Sequence, residues 1–404
     1  MSQSTTLLLV VPTSWTLYFV PLSKTGSPSR HNQYSPKCPQ KGHRLVTRRT
    51  RTRLTWCCSM APSSDGQQSS LVSTNTAAVE PSNETKLVRI VHWTDVHFHV
   101  LKLPTLLPTW KQCLGLAHLY IKGRKDDFHA AELVPTMVQQ IDSLHPDLCI
   151  FSGDLTALGL PAEFELAKSM LSPLLEKYPN IMIAGNHDRY TRQSAYLMEE
   201  YFGDYMRGGK QWDAGKWKEE EMKEEKDAFP RVYDDARWFG LKIVVLDQAR
   251  PSKWSFGENS APQLHRLERL LEELDASRCI VVGHYPVCNA DGSLSDTFGR
   301  SLKDVGELYQ VLCRQPPLAY LCGHDHQHYV QYMQVGGGNG RVPLICCGST
   351  SYLGKKAQKK AGFYEITVEI ADNNDSHHLP KPRIFSIVRY EWNSRHQQFE
   401  KLGD

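Results

Sequence analysis

The sequence contains no CxxC pair, no uninterrupted apolar run of membrane-spanning length, no internal repeat and, in its first 60 residues, no acidic side chain. Each absence removes a class of explanation. Eleven cysteines without CxxC spacing predict neither a zinc-thiolate site nor a disulfide framework, and so a reducing compartment. Several of them lie inside apolar runs (DLCIF, SRCIVV, YLCG, LICCG), where a reduced thiol behaves as a small core hydrophobe. The apolar stretch from Leu7 to Val20 is interrupted by Pro12, Thr13 and Ser14, too short to cross a bilayer although it could serve as the apolar part of a leader.

The missing acids change how the charge is read. Residues 1–60 hold nine Lys or Arg, so the formal net charge of +3 leaves 38 basic against 44 acidic residues in the remainder, a net of −6. A body with that balance carries no electrostatic footprint for nucleic acid. Up to about residue 84 the chain is rich in Ser, Thr and Arg, and its first acids are Asp65, Glu80 and Glu84. This is the composition of a plastid or mitochondrial transit peptide, the alternative being a disordered tail in a cytoplasmic protein. The expected division is therefore a cleavable or disordered extension over 1–84 and one folded domain over 85–404.

From Lys86 onward, short apolar runs alternate with amphipathic stretches. Strands are expected at 87–93, 147–152, 180–185, 242–247, 279–284 and 318–323, with helices at 131–144, 161–177, 192–202, 261–275 and 300–314. Beyond residue 328, HYVQYMQV, RVPLICCGSTS, GFYEITVEI and RIFSIVRYEW read as hairpins of a second sheet. The alternation predicts an α/β layered domain with its site at the carboxyl ends of the strands. Two insertions interrupt it: 101–129, read as a packed loop-helix cap, and the charged block 207–227, read as an exposed helix with Glu and Lys at four-residue spacing.

Five of the apolar runs end in segments rich in metal-ligand side chains: TDVHFH at 94–99, GDLT at 153–156, GNHD at 185–188, GHYP at 283–286 and GHDHQH at 323–328. A single Gly-His or Gly-Asp pair after a strand is ordinarily a turn. Five in series supply the carboxylate, amide and imidazole inventory of a site for two divalent cations about 3.5–4 Å apart, a spacing suited to clamping a phosphate. On a regular strand, residues two apart share a face, which would let Asp95 and His97 reach one ion. Glycines before Asp154 and His284 permit close backbone approach. His92 should then face away from Asp95, His99 would lie behind the ligands and His328 would begin a strand.

This order of D-x-H, GD, GNHD, GH and GHxH resembles the calcineurin-like metallophosphoesterases over about Arg89 to Thr350, and most of all the bacterial class III cyclic-nucleotide phosphodiesterases. The resemblance implies a four-layer αββα sandwich, two mixed sheets flanked by helices. It also implies that Asp95, His97 and His326 hold one metal, Asn186, His284 and His324 the other, and Asp154 bridges them. His187 would be the general acid beside a metal-bridging hydroxide, oriented by Asp188. The donor set suits Mn, Fe or Zn. The expected substrate is a small phosphate ester, a diester before a monoester, with a cyclic nucleotide among the candidates; a monoesterase, a protein or nucleotide phosphatase, a nuclease or a non-catalytic scaffold are the alternatives. The longer 98–130 region separates this chain from the compact cyclic-nucleotide enzymes.

Overall fold

The first apolar run forms β1 (Thr85–Trp93), and its residues alternate between two buried environments, as a central strand requires. The computed structural model describes residues 85–100, 109–121, 123–207, 229–252, 254–335, 340–356, 358–371 and 381–402. The insertion 207–227 lies outside the described residues apart from Arg207, as do positions 101–108.

After β1 come α1 (Trp110–Tyr120), α2 (Ala130–Leu144), β2 (Leu148–Phe151), α3 (Pro161–Lys177), β3 (Asn180–Met182) and α4 (Ser194–Met206). The second half holds β4 (Arg231–Asp234), β5 (Lys242–Val245), α5 (Ala261–Glu273), β6 (Cys279–Val282), α6 (Val305–Arg314) and β7 (Ala319–Cys322). It closes with β8 (Tyr329–Val335), β9 (Gly340–Cys346), β10 (Gly362–Ala371), β11 (Arg383–Asn393) and β12 (Gln398–Lys401). All six expected strands and all five expected helices are present, with ends shifted by a few residues. β4 was not foreseen.

Two mixed six-stranded sheets result, in the orders β12-β11-β10-β1-β2-β3 and β4-β5-β6-β7-β9-β8. Between them Ile90, Leu148, Ile150 and Ile181 of the first sheet meet Ile243, Val245, Ile280, Val282 and Leu321 of the second. The opposite face of the first sheet (Val91, Trp93, Cys149, Phe151) packs under α2, α3 and α4, and that of the second (Val244, Val281, Tyr320, Cys322) under α5 and α6. This is the expected αββα sandwich. Removing a fully buried ring such as Phe151 from these layers would cost about 3–5 kcal/mol.

One expectation needs correction. The C-terminal strands do not form a separate second sheet: β8 and β9 join β7, whereas β10 pairs antiparallel with β1 from Thr85↔Ala371 to His92↔Tyr364 and carries β11 and β12 with it. Alternation identifies a strand but says nothing about which edge receives it.

The insertion's helix, α1, places Leu116, Leu119 and Tyr120 against Ala157, Leu158, Leu160 and Tyr190, over the loop that follows β2. Its start is fixed by a capping box between Thr109 and Gln112. At the start of α3, buried Glu163 accepts from the amides of Leu158 (2.9 Å) and Leu160 (3.1 Å) through Oε2. Burial pushes this carboxyl up to about 8 from 4.5, against the pull of the amides. The unfolded chain therefore releases this proton at lower pH than the native one, and the stability it contributes is lost as pH rises from 4.5 towards 8. Glu163→Gln keeps an acceptor oxygen without the titration. Its melting midpoint is expected to exceed wild type at pH 8 and to converge on it towards pH 5; parallel curves across that range would exclude Glu163 as the source.

Candidate metal centre

The motif residues begin where the strands stop. Asp95 and His97 follow β1, Asp154 follows β2, Asn186 and His187 follow β3, His284 follows β6, and His324 and His326 follow β7. Five of them occupy the left-handed region: Asp95 and His97 at φ 54°, Asp154 at 61°, His324 at 71° and His326 at 54°. Strand pleating is therefore not what brings Asp95 and His97 together, since β1 ends at Trp93 and both side chains are aimed by turns. Each such conformation costs about 1–3 kcal/mol and persists only where the surroundings impose it.

The surroundings here are hydrogen bonds between loops. Asp95 N donates to Gly153 O (2.9 Å), His97 N to Asp154 O (3.2 Å) and Phe98 N to Leu155 O (2.8 Å). From the segment after β9, Thr350 Oγ1 donates to Thr94 O (2.9 Å), Ser349 Oγ to Asp95 O (2.6 Å) and Ser351 Oγ to Val96 O (2.5 Å). Gly185 permits the closest approach, because a Cβ there would lie 2.2 Å from Asp154 Oδ1.

Seven side chains expected at the centre meet in one place. Asp95, His97, Asp154 and His326 each offer a ligand atom within 4.8 Å of one another, and so do Asp154, His284 and His324, with Asp154 common to both groups. Asn186 Oδ1 lies 3.2 Å from His284 Nε2. Within the first group, His97 Nε2 and His326 Nε2 face each other at 2.9 Å, and His326 Nε2 is 3.1 Å from Asp95 Oδ1. Asp154 points one oxygen at each group: Oδ2 is 3.8 Å from His97 Nε2 and Oδ1 is 3.5 Å from His284 Nε2.

The chemistry of these donors fits divalent cations. Asp95 Oδ1 and His324 Nδ1 are buried and make no hydrogen bond of good geometry among the described residues. His284 Nδ1 contacts Ser152 O at 2.8 Å and His324 Nε2 contacts Arg300 O at 2.7 Å. A carbonyl can only accept, so each ring keeps a proton on that nitrogen and turns its other nitrogen inward, as a metal ligand needs. Burial acts to lower His284, but the Asp154 carboxylate raises it to about 9, and a metal there would take the place of its inward proton. Burial lowers His324 to about 3 and His326 to about 4. Burial acts to raise Asp95 and Asp154, but His326 beside the first and His284 beside the second hold both carboxylates well below their usual range.

His187 lies next to this cluster, its ring edge-on to His97 at 4.7 Å and stacked over Tyr190 at 5.9 Å. Its Nδ1 contacts Ala157 O at 2.6 Å, and its amide donates to Asp154 Oδ1 at 2.7 Å. The expectation that Asp188 orients the His187 ring is corrected. The Asp188 carboxylate accepts instead from the amides of Leu155 (3.2 Å), Thr156 (2.9 Å) and Gly185 (3.0 Å), so it joins the β2 and β3 loops. Neighbours in sequence on a tight turn project apart, and the nearest carbonyl takes the ring.

Of the remaining histidines, His92 contacts Ser152 Oγ at 2.9 Å, His99 is half-buried, and His328 immediately precedes β8 and accepts from Gly348 N at 3.1 Å. Sequence reasoning missed Gln248, whose Oε1 accepts from the amides of His284 (2.9 Å) and Tyr285 (3.1 Å). Its position just past the KIVVLD run was the available signal. It also missed Ser349, Thr350 and Ser351, three hydroxyls in the GSTS that closes another apolar run.

The chain belongs to the calcineurin-like phosphoesterase family, whose model matches residues 88–328. A probable cyclic nucleotide phosphodiesterase of Synechococcus sp. is 28% identical over 225 residues, covering 55% of this chain and 72% of that protein. A probable glycerophosphodiester phosphodiesterase of Arcobacter nitrofigilis is 28% identical over 222 residues, covering 52% and 69%. Among solved structures, a dimetal phosphatase from Danio rerio is similar at 14% identity with a TM-score of 0.47, over 74% of this chain and 99% of that one. The family assignment does not rest on that last likeness. The protein is thus a hydrolase of phosphoric esters with a His/Asp cluster suited to two metals. No described helix is long and apolar enough to cross a membrane.

Gln248→Ala would leave two buried amides without an acceptor, at about 1–3 kcal/mol each. The variant is expected to melt below wild type and to retain less metal after dialysis, read by plasma mass spectrometry. Unchanged metal content would show that Gln248 does not position His284.

Proposed function

We propose that the protein is a phosphodiesterase using two divalent cations, with Asp95, His97 and His326 holding one, Asn186, His284 and His324 the other, and Asp154 shared. The observation that carries this reading is the Asp154 carboxylate set between two imidazole groups, with His187 beside it. When bound, the cations would supply the positive charge that neutralises a phosphate and the Lewis acidity that activates water. The remaining work falls to the chain. Asp154 Oδ1 fixes the His187 amide and so the loop that carries that ring. With Nδ1 bonded to a carbonyl, the His187 ring would use Nε2 to hold a proton for a departing alkoxide. Diesters gain most from that proton because their leaving groups are poor, and the names of the Synechococcus and Arcobacter relatives also favour diesters. Mixed carboxylate, amide and imidazole ligation favours Mn, Fe or Zn over Ca.

With added Mn²⁺ the protein is expected to hydrolyse bis-p-nitrophenyl phosphate faster than p-nitrophenyl phosphate. Asp154→Asn and His187→Ala should each lower that rate at least about a hundred-fold. Equal rates in wild type and Asp154→Asn would sink the mechanism, and faster monoester turnover would replace diester with monoester specificity.

We also propose, from its composition alone, that the segment 1–84 addresses the protein to a plastid or mitochondrion. A fusion of these residues to a fluorescent protein is expected to co-localise with one of those organelles; a diffuse cytosolic signal would remove the proposal.

A further inference from the structure

The metal centre opens into a cleft with two lobes of unlike chemistry, which meet at Phe128, Asn186, His187 and Ser255. One lobe, about 260 Å³, lies under α1 and is walled by Leu114, Leu119, Leu158, Tyr190 and Trp254, with Lys111 and His118 among its lining residues. Its closeness depends on Gly115, where a Cβ would stand 2.5 Å from Leu158 Cδ2 and 2.7 Å from the Tyr190 hydroxyl. The other lobe, about 340 Å³, reaches from Asp154, His324 and His326 to Arg300, Lys356 and Lys359.

Three cations converge on that second lobe although the folded body is net acidic. Asp127 is the one carboxylate in its lining besides Asp154, and Asp325 lies within electrostatic reach of Arg300 and Lys359. Among the described residues, no ion pair engages Arg300, Lys356 or Lys359, whereas neighbouring Lys360 pairs with Glu391 at 3.1 Å. Lys359 is half-buried, and its Nζ donates to Asp325 O at 2.7 Å, which holds it at the edge of the metal loop. Arg300 is fixed through its own carbonyl, the acceptor for His324. Cations that outnumber the carboxylates around a concavity, and that form no close ion pair there among the described residues, repel one another, and an anion placed among them offsets that cost.

We infer that the natural substrate carries a second anionic group, a phosphate or carboxylate, seated between Arg300, Lys356 and Lys359 while the scissile phosphate lies at the metal centre. The apolar lobe under α1 then receives the substituent on the other side. This inference rests on the phosphodiesterase reading for which group is cleaved. The cation lobe itself does not depend on that reading.

The test uses two aryl diesters that release the same p-nitrophenolate, bis-p-nitrophenyl phosphate and 4-carboxyphenyl 4-nitrophenyl phosphate, with the Mn²⁺-loaded protein. Wild type is expected to prefer the carboxylated diester by about ten-fold in kcat/KM after correction for the two leaving groups of the first. Lys356 is the residue to change, since its side chain makes no hydrogen bond or ion pair among the described residues. Lys356→Ala should reduce the preference by about five-fold or more, and so should a rise in salt that screens the contact. A second arm needs no turnover: calorimetric titration with inorganic pyrophosphate and inorganic phosphate, where wild type should bind the former about ten-fold more tightly and Lys356→Ala should lose most of that ratio. If neither diester is cleaved but the binding ratio behaves as stated, the phosphodiesterase reading fails and the second-anion lobe stands. If both ratios are near unity in wild type, or unchanged in Lys356→Ala, the inference is overturned.

Discussion

The carboxylate of Asp154 is the constraint on which the rest of the centre depends. One oxygen faces His284 and accepts the His187 amide, the other faces His97, and the same residue's carbonyl accepts the amide of His97. One side chain therefore sets the spacing between the two ligand groups, the position of the neighbouring imidazole and the approach of the β1 loop to the β2 loop. It does so from a left-handed backbone, which turns the carboxylate out of the strand direction and towards the two ligand groups. Such a conformation holds because Gly185 leaves room for the carboxylate and Asp188 ties the amides that follow Asp154 to that of Gly185 in the β3 loop.

Much of this was legible in the sequence, for definite reasons. Central strands buried on both faces have to be short apolar runs, and GD, GNHD and GH must follow them if a site is to form at the strand ends. The strands and the motif segments at their ends could therefore be read directly, while the four layers and the division of the ligands came with the family resemblance. What failed was geometry that no single segment encodes. β10 looks like any alternating strand, and only its hydrogen bonds with β1 place it in the first sheet. Asp95 and His97 are two apart, which suggested a pleat, yet turns orient them. Asp188 stands beside His187 in sequence and points elsewhere in space.

The supporting residues were invisible for a related reason. Gln248, Ser349, Thr350 and Ser351 are ordinary polar residues whose importance lies in the amides and carbonyls they reach across the chain. Ser349 meets Asp95 across 254 positions of sequence. Arg300 illustrates how such residues can serve twice: its carbonyl sets the tautomer of His324, while its side chain lines the open cleft. Backbone and side chain of one residue thus belong to different parts of the site.

The division of ligands between the sheets has a mechanical meaning. Asp95, His97, Asp154 and Asn186 extend from strands of the first sheet, and His284, His324 and His326 from strands of the second. Each ligand group draws on both, so an ion in either would act as a rivet through the apolar seam. Sliding one sheet over the other and releasing metal would then be a single event, and the protein's rigidity would be set by the cation supply of its surroundings.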